Sequence, residues 1–252
     1  MNPTQLPGPA GEWLRPLHTP AGAPLRLICF PHAGGGASLF RAWVPSMPDD
    51  CALWAVQYPG REDRITERHC DSVPQLARRI AYALQWAMDT PYALFGHSMG
   101  AIVAYETARE VDKLGLTSPL RLIASGSPPP DQAAAACRAE RDAASPPPAS
   151  AQEAERPVTA TALETDTDLL ARYGPDPGAV PTEVPLTVLR HDDDPDLDTG
   201  TARGWAAVTK ASCRLRTLPG DHFTCVTDPE RTIEETMSAL TTAHLSDTRR
   251  TA

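Results

Sequence analysis

Residues 92–100 read Tyr92-Ala93-Leu94-Phe95-Gly96-His97-Ser98-Met99-Gly100, and this stretch decides the fold. It joins an apolar run, typical of a buried strand, to the start of a helical pattern. A serine between a strand and a helix, with a glycine two residues away on each side, matches a nucleophile elbow. The turn is so tight that its neighbours must be small, as Gly96 and Gly100 are. We therefore predict that Ser98 is a nucleophile at the sheet edge, facing a helix N-terminus that favours negative charge. His97 is too close in sequence to serve as its base.

Strand and helix patterns alternate on both sides of this elbow. Apolar runs typical of buried strands lie at 25–30, 52–58, 92–95, 120–125, 186–189 and 214–218. Helical patterns lie at 72–88, 100–114, 201–210 and 230–244, with Ser72 as an N-cap and Gly115 after the second helix. Several strands are apolar almost throughout, as in a parallel sheet covered on both faces. The sequence therefore predicts an α/β fold with a mostly parallel central sheet flanked by helices.

The segment 128–185 interrupts this alternation. It holds eleven prolines and a single aromatic residue, Tyr173. Such a composition fits a disordered insertion, and it also fits a mobile lid over a site at the sheet edge, with short helices near 134–142 and 165–172. We predict four parts: an irregular N-terminal segment at 1–24, a core at 25–127 and 186–246, a lid insertion at 128–185, and a disordered tail at 247–252.

Charge and composition narrow the range of partners. The 252 residues include 23 Lys and Arg against 32 Asp and Glu, a formal net charge of −9. An acidic chain is repelled by nucleic acid and by anionic membranes. No run approaches the roughly 18 apolar residues of a membrane span, and the first residues lack the apolar stretch of a secretory signal. We therefore expect a cytoplasmic protein that binds neither nucleic acid nor membrane.

A nucleophilic serine needs a base, which in turn needs an orienting acid. Three histidines follow the elbow: His191, His222 and His244. His222 lies in a turn, Leu218-Pro219-Gly220-Asp221-His222-Phe223, directly after the last predicted strand. In α/β-hydrolases the chain order is serine, acid, histidine, and the histidine lies at this place. We therefore predict His222 as the base.

The acid is expected just past the strand at 186–189. The sequence there includes Asp192, Asp193 and Asp194, the last directly before Pro195. We select Asp194, while Asp192 and Asp193 stay open because sequence fixes such a position only to within a residue or two.

The same loop allows two other readings. Asp194, Asp196 and Asp198 alternate as in a calcium loop, but Thr199 stands where that loop needs Gly and Trp205 where it needs Glu. A solvated acidic loop also accounts for the extra aspartates. We predict that there is no metal site.

A catalytic serine also needs donors for the oxyanion that forms in the reaction. The segment Phe30-Pro31-His32-Ala33-Gly34-Gly35-Gly36 follows the first core strand, and its glycines let backbone N–H groups approach a ligand closely. A phosphate-binding loop is disfavoured because no Gly-Lys-Ser/Thr ending follows. We predict that the N–H groups of Ala33 and Met99 form the oxyanion hole.

Together with Tyr58-Pro59-Gly60-Arg61-Glu62, these motifs resemble the type II thioesterases of polyketide and non-ribosomal peptide assembly lines. The resemblance runs from about residue 25 to residue 240. It implies an α/β-hydrolase fold with a helical lid, and a monomer. It also implies hydrolysis of stalled or mis-primed acyl groups from the phosphopantetheine arm of acyl or peptidyl carrier proteins, with no cofactor beyond the arm that the substrate carries. The lid departs from the family pattern, because it is rich in Ala and Pro and poor in apolar residues.

Carrier contacts are harder to assign, because carrier proteins are usually acidic like this chain. We assign His32 and Arg61 to substrate or carrier binding, and Arg61, Arg64 and Arg68 form a candidate docking cluster. An ordinary solvated loop explains this cluster equally well. Two other functions stay open: a serine hydrolase or acyltransferase acting on another ester, acyl-CoA or pathway product, and a protein that only binds acyl-carriers.

Overall fold

The computed structural model describes residues 6, 8–143, 158–176, 178 and 180–247. A seven-stranded sheet lies at its centre, with the strand order β1-β3-β2-β4-β5-β6-β7. Neighbouring strands are parallel except for the antiparallel pair β1–β3. The predicted α/β fold with a mostly parallel sheet is confirmed. The strands are β1 (Leu14–His18), β2 (Leu25–Phe30), β3 (Cys51–Val56), β4 (Tyr92–His97), β5 (Leu122–Ser125), β6 (Leu186–His191) and β7 (Cys213–Leu218).

Helices cover both faces of the sheet. Ser72 caps the second helix, because its Oγ accepts a hydrogen bond from the Gln75 N–H at 3.2 Å, and Gly115 follows the third helix at a φ of 65°. Both predicted caps are confirmed. The α-helices are α1 (Pro9–Trp13), α2 (Val73–Leu84), α3 (Met99–Lys113), α4 (Pro130–Ala143), α5 (Val158–Ala171), α6 (Thr199–Arg203), α7 (Thr224–Thr227) and α8 (Glu230–Asp247), and 3-10 helices lie at Ala37–Ser46, Glu62–Arg64 and Gly204–Val208.

Alternate residues of the central strands pack on opposite faces of the sheet. In β2, Ile28 and Phe30 join the cluster that includes α2 and α3, while Leu27 and Cys29 join the cluster around Trp43 and α8. These four side chains are fully buried. This burial on two faces explains why the strands are apolar almost throughout.

Two sequence predictions about secondary structure are wrong. The segment at 1–24 is not wholly irregular, because it contains α1 and the edge strand β1. Pro16 within β1 obscures the strand pattern, yet proline is tolerated on an edge strand, where one side has no ladder to complete. The helix predicted at 201–210 is instead the short α6 followed by a 3-10 turn that starts at Gly204.

The insertion predicted at 128–185 contains α4 and α5, which pack on each other. Arg138 donates a hydrogen bond to the Ala171 carbonyl at 2.5 Å, and the Cys137 Sγ lies 3.4 Å from the Thr167 carbonyl. Both helices are longer than the predicted 134–142 and 165–172. The Ser/Pro/Ala-rich stretch at 144–157, and all of the predicted tail except Asp247, lie outside the described residues.

Within the described ranges, no helix combines the length and the apolar character that crossing a membrane requires.

Candidate active site

Ser98 sits at a strained turn between β4 and α3. Its φ of 54° and ψ of −123° lie in a region that non-glycine residues rarely adopt. The Ser98 N–H donates to the Ser125 carbonyl at 2.8 Å, which fixes the turn against β5. A Cβ on Gly96 would clash with the Gly100 carbonyl, and a Cβ on Gly100 would clash with the Phe30 carbonyl. The requirement for small residues around Ser98 is therefore confirmed.

His222 and Asp194 form a hydrogen-bonded pair at the carboxyl ends of β6 and β7. The His222 Nδ1 lies 3.0 Å from Asp194 Oδ2, and the Asp194 carboxylate is fully shielded from solvent. Asp194 Oδ1 accepts the N–H of Asp196 at 3.0 Å. Burial alone would raise the pKa of Asp194, but the hydrogen bonds from His222 and Asp196 outweigh it and hold this pKa below its ordinary value. Asp194 is therefore poised to stay ionised and to orient the imidazole.

The neighbouring aspartates have other positions. Asp193 is exposed, and Asp192 Oδ1 accepts the N–H of Gly220 at 3.0 Å, which ties together the loops after β6 and β7. Of the three candidate acids, the structure brings Asp194 to His222.

The calcium-loop reading fails in the structure as it does in the sequence. Ligand atoms of Asp194, Asp196 and His222 do lie within 4.8 Å of one another. Both Asp194 oxygens, however, already accept hydrogen bonds. Asp198 turns away to cap α6, accepting the Thr201 N–H at 2.9 Å. The alternating aspartates therefore do not converge as a calcium loop requires.

The glycine-rich loop after β2 lies against the start of α3, where Gly100 faces the carbonyl oxygens of Phe30 and Pro31. In the described parts of the chain, the N–H groups of Ala33 and Met99 donate no hydrogen bond. Unused N–H groups on this loop and at a helix start are what an oxyanion hole requires.

Side chains from the end of β3 brace this loop. Gln57 Oε1 accepts the N–H of Ala37, the first residue of the 3-10 helix that follows the glycine-rich loop, at 2.6 Å. Glu62 Oε1 accepts the N–H and the hydroxyl of Ser38 at 3.1 and 2.6 Å. Arg61 donates to the Gly35 carbonyl at 3.1 Å. Arg61 and Glu62 of the Tyr-Pro-Gly-Arg-Glu motif thus support the glycine-rich loop, a role that the sequence reasoning did not assign to them.

Asp166 of α5 reaches the same loop. Its two carboxylate oxygens accept hydrogen bonds from the Arg61 guanidinium at 2.5 and 2.8 Å, and Oδ2 also accepts the Gly34 N–H at 2.8 Å. Sequence reasoning missed Asp166. The spacing of Ala162, Asp166 and Leu169, all buried, places the acid on the apolar face of α5 and is the signal that identifies it.

The proposed docking cluster is contradicted by the structure. Arg61 is 5% exposed and binds Asp166 and the Gly35 carbonyl, so a carrier cannot reach it. Arg64 is 3% exposed and pairs with Glu12 and Glu67 at 2.9 and 2.6 Å. Within the cluster Arg68 alone is solvent-exposed. The assignment of Arg61 to carrier binding is therefore wrong, because its guanidinium is buried against Asp166 and the Gly35 carbonyl. Arg64 is buried against the Gln57 carbonyl and binds the exposed carboxylates of Glu12 and Glu67.

Neutral histidines surround His222. The His97 ring lies 4.8 Å from the His222 ring, and burial, reinforced by the neighbouring histidines, holds the pKa of His97 well below its ordinary value. Burial also lowers the pKa of His32, whose Nδ1 lies 2.7 Å from the Ala33 carbonyl. His32 also contacts the ring of Phe223 edge-on at 5.4 Å. His32 therefore borders the glycine-rich loop, and His97 packs beside His222. The binding role of His32 stays a prediction.

Ser98 and His222 face one cavity of about 70 Å³. Its far wall comes from the helices of the insertion, with Ala133, Ala136 and Cys137 from α4 and Leu170 from α5. The insertion therefore covers the site.

Comparison with known proteins identifies the family. A family model described as "Thioesterase domain" matches residues 25–240. The chain is 34% identical over 228 residues to a "Probable cadicidin biosynthesis thioesterase" of Streptomyces griseus, covering 85% of this chain and 62% of that protein. It is 31% identical over 226 residues to "Thioesterase PikA5" of Streptomyces venezuelae, covering 85% and 80%. The chain thus spans less than two thirds of the first of these relatives.

Solved structures agree with this likeness. The RedJ thioesterase from the prodiginine pathway of Streptomyces coelicolor superposes with a TM-score of 0.71 at 34% identity, covering 89% of this chain and 88% of that one. The type II thioesterase BorB from the borrelidin cluster superposes with a TM-score of 0.75 at 29% identity, covering 90% and 97%. The chain therefore belongs to the thioesterase family, has the α/β-hydrolase fold, and bears out its resemblance to the type II thioesterases of polyketide and peptide biosynthesis.

Proposed function

We propose that this thioesterase hydrolyses short acyl groups from the phosphopantetheine arm of acyl or peptidyl carrier proteins, and so edits stalled or mis-primed assembly lines. The observation that carries the proposal is the 3.0 Å hydrogen bond between Asp194 and His222, beside the cavity that Ser98 also lines. The relatives' names, which refer to cadicidin and prodiginine pathways, support this substrate class.

In the first half of the proposed cycle, Ser98 Oγ attacks the thioester carbonyl carbon and its proton passes to His222 Nε2. Asp194 holds the other ring nitrogen, Nδ1, and so fixes the tautomer and stabilises the imidazolium. The N–H groups of Ala33 and Met99 receive the negative oxygen of the tetrahedral intermediate. Collapse of this intermediate leaves an acyl ester on Ser98.

In the second half, water replaces the thiol. The pantetheine sulfur leaves as a thiolate, since its thiol has a pKa of about 8.5, and it takes the proton from the His222 imidazolium, so that His222 is neutral again. His222 then deprotonates a water molecule, which attacks the carbonyl carbon of the acyl–Ser98 ester. When this second tetrahedral intermediate collapses, the bond to Ser98 Oγ breaks, His222 returns the proton to Ser98 Oγ, and the carboxylic acid is released. The cycle uses only protein groups and water, and the substrate supplies the phosphopantetheine.

The size of the cavity supports short acyl groups. Its volume is about 70 Å³, well below the roughly 300–1,000 Å³ of pockets for drug-sized ligands. Leu170 is the largest side chain that the insertion contributes to its wall, so we expect this position to limit the acyl length.

The mouth of the site supports apolar contacts with a carrier and its arm. Leu163 is 49% exposed and lies against Gly34, and Phe223 is 48% exposed and packs on His32. These two apolar side chains flank the proposed oxyanion loop, whereas Arg61 and Arg64 of the basic cluster are buried. We propose that an acidic carrier docks here to a monomeric, cytoplasmic enzyme.

The test is to load acetyl, propionyl, butyryl and octanoyl groups onto a phosphopantetheinylated carrier protein and to follow the carrier mass. We expect rapid loss of the short groups, faster than hydrolysis of the matching acyl-CoA, and slow loss of octanoyl. Ser98→Ala lowers turnover by about a millionfold if the serine acts as proposed.

Two outcomes contradict the proposal. If no carrier loses its acyl group while a serine-reactive phosphonate still labels Ser98, the triad acts on another ester or transfers the acyl group to an alcohol or amine. If the phosphonate does not label Ser98 either, the chain only binds acyl-carriers.

A further inference from the structure

We infer that Asp166 is a positioning residue for the oxyanion hole, holding the loop after β2 in its active shape from the covering helix α5. The inference rests on the proposed function, because it gives Asp166 a part in the chemistry of Ser98. Asp166 does not touch the reacting atoms and acts through Gly34 and Arg61.

The contacts are specific to the loop. Asp166 Oδ2 accepts the Gly34 N–H at 2.8 Å, and Gly34 directly follows Ala33, whose N–H we assign to the oxyanion. Gly34 has a φ of 77°, and a Cβ on it would lie 3.0 Å from Leu163 Cβ. Helix α5 therefore approaches the loop too closely for a side chain, and the carboxylate fixes the peptide between Ala33 and Gly34.

The second half of the contact holds the other side of the loop. Arg61 binds both oxygens of Asp166 and also donates to the Gly35 carbonyl at 3.1 Å. Asp166 is 3% exposed and Arg61 is 5% exposed, so each charge depends on the other for compensation. The Asp166 carboxylate thus orients the Gly34 N–H directly. Through the Arg61 guanidinium it also orients the carbonyl of the next loop residue, Gly35.

This arrangement makes the oxyanion hole depend on a segment distant in sequence. Gly34 and Asp166 are 132 residues apart. A loop with three adjacent glycines is intrinsically adaptable, so its active shape requires outside contacts. A loss of Asp166 is expected to misplace the Ala33 N–H, while the Ser98 elbow and the Asp194–His222 pair stay as they are.

The test compares Asp166→Asn with Asp168→Asn, an exposed position two residues further along α5. The substrate is the acetyl thioester of N-acetylcysteamine, which is too small to depend on carrier docking. We expect Asp166→Asn to lower kcat by about ten- to a hundredfold, as a small misplacement of a catalytic donor does, with KM within about threefold and an unchanged pH profile of kcat. Asp168→Asn keeps the kcat of the wild type.

Several results overturn the inference or separate it from the proposed function. If Asp166→Asn keeps kcat within twofold while its Tm falls, the contact is structural only. If Asp166→Asn does not fold, hydrogen exchange in the wild-type protein decides instead: a Gly34 amide that exchanges as fast as an exposed amide contradicts the contact, and a protected one supports it. If Ser98→Ala keeps turnover, the proposed function itself fails, whatever Asp166→Asn does.

Discussion

The elbow around Ser98 and the loop around Ala33 are adjacent in space but are built in different ways. The elbow is held by backbone contacts, because Gly96 lies against the Gly100 carbonyl, Gly100 lies against the Phe30 carbonyl, and the Ser98 N–H donates to Ser125. The oxyanion loop is held by side chains from elsewhere, with Arg61 and Glu62 reaching it from the end of β3 and Asp166 from α5. The turn that positions Ser98 is therefore recognisable from one short motif, whereas the proposed oxyanion site depends on residues spread over the chain.

The largest expected effect is on kcat and comes from Asp194, the proposed acid of the site around Ser98. Asp194→Asn keeps the shape of the side chain but removes the charge that orients His222 Nδ1–H. By analogy with other serine triads, we expect kcat on a small acyl thioester to fall by about 10⁴-fold.

Asp193→Asn is the matched control. Asp193 is the adjacent residue, is exposed, and does not reach His222 in the described structure, so its variant keeps the wild-type kcat. Equal losses in both variants, or a loss in Asp193→Asn alone, refute the assignment of Asp194 as the acid.

The elbow itself offers the next largest effect. In Gly100→Ala, the new Cβ meets the backbone oxygens of Phe30 and Pro31, which cannot move without displacing the end of β2. We expect a loss of more than about 3 kcal/mol in the free energy of unfolding, measured by urea denaturation, since a backbone clash in a packed core is not relieved by a rotamer change.

Gly174→Ala is the control for this substitution. Its Cβ meets nothing within 4 Å, and Gly174 is not among the glycines with positive φ, so its stability stays within about 0.5 kcal/mol of the wild type. If Gly100→Ala is as stable as Gly174→Ala, local sterics do not hold the elbow.

The difference between a short local motif and long-range contacts also explains which features the sequence could predict. Ser98, His222 and most strands follow from short-range patterns, such as a glycine pair around a serine or an apolar run before a turn. The side chain of Asp194 could not be separated from those of Asp192 and Asp193 by pattern alone. Asp194 differs from its neighbours by its burial and its hydrogen bond to His222, and both form only when β6 and β7 pair in the sheet.

Other failures have the same origin. Arg61 and Arg64 look like a basic surface cluster in the sequence, but both are buried and bind carboxylates from distant segments, Asp166 for Arg61 and Glu12 for Arg64. Strand β1 contains a proline and gains its ladder only by pairing with β3. Asp166 lies on the apolar face of α5, but its partner Arg61 lies 105 residues away. In each case the deciding interaction is a long-range one.

The smallest expected effect is a loss of stability in Tyr173→Phe, which we compare with Asp166→Asn within the same insertion. Besides Asp166, Tyr173 also ties the insertion to the core, because its hydroxyl donates to Glu106 Oε1 of α3 at 2.7 Å. Burial and the nearby Glu106 carboxylate raise the pKa of Tyr173, so it remains a protonated donor. Glu106 keeps Arg109 as a partner at 2.9 Å when the hydroxyl is removed. Tyr173→Phe therefore costs about 1–2 kcal/mol of unfolding free energy.

Unlike Asp166, Tyr173 does not contact the oxyanion loop, so Tyr173→Phe is expected to leave kcat on the acetyl thioester within twofold of the wild type. Tyr82→Phe, at a half-exposed position on α2, is the control and changes neither stability nor kcat. A fall in kcat for Tyr173→Phe as large as that for Asp166→Asn argues that any loosening of the insertion disturbs catalysis. If Tyr173→Phe loses stability alone while Asp166→Asn loses kcat, the two side chains have different roles. Tyr173 then anchors the insertion, and Asp166 shapes the proposed oxyanion loop.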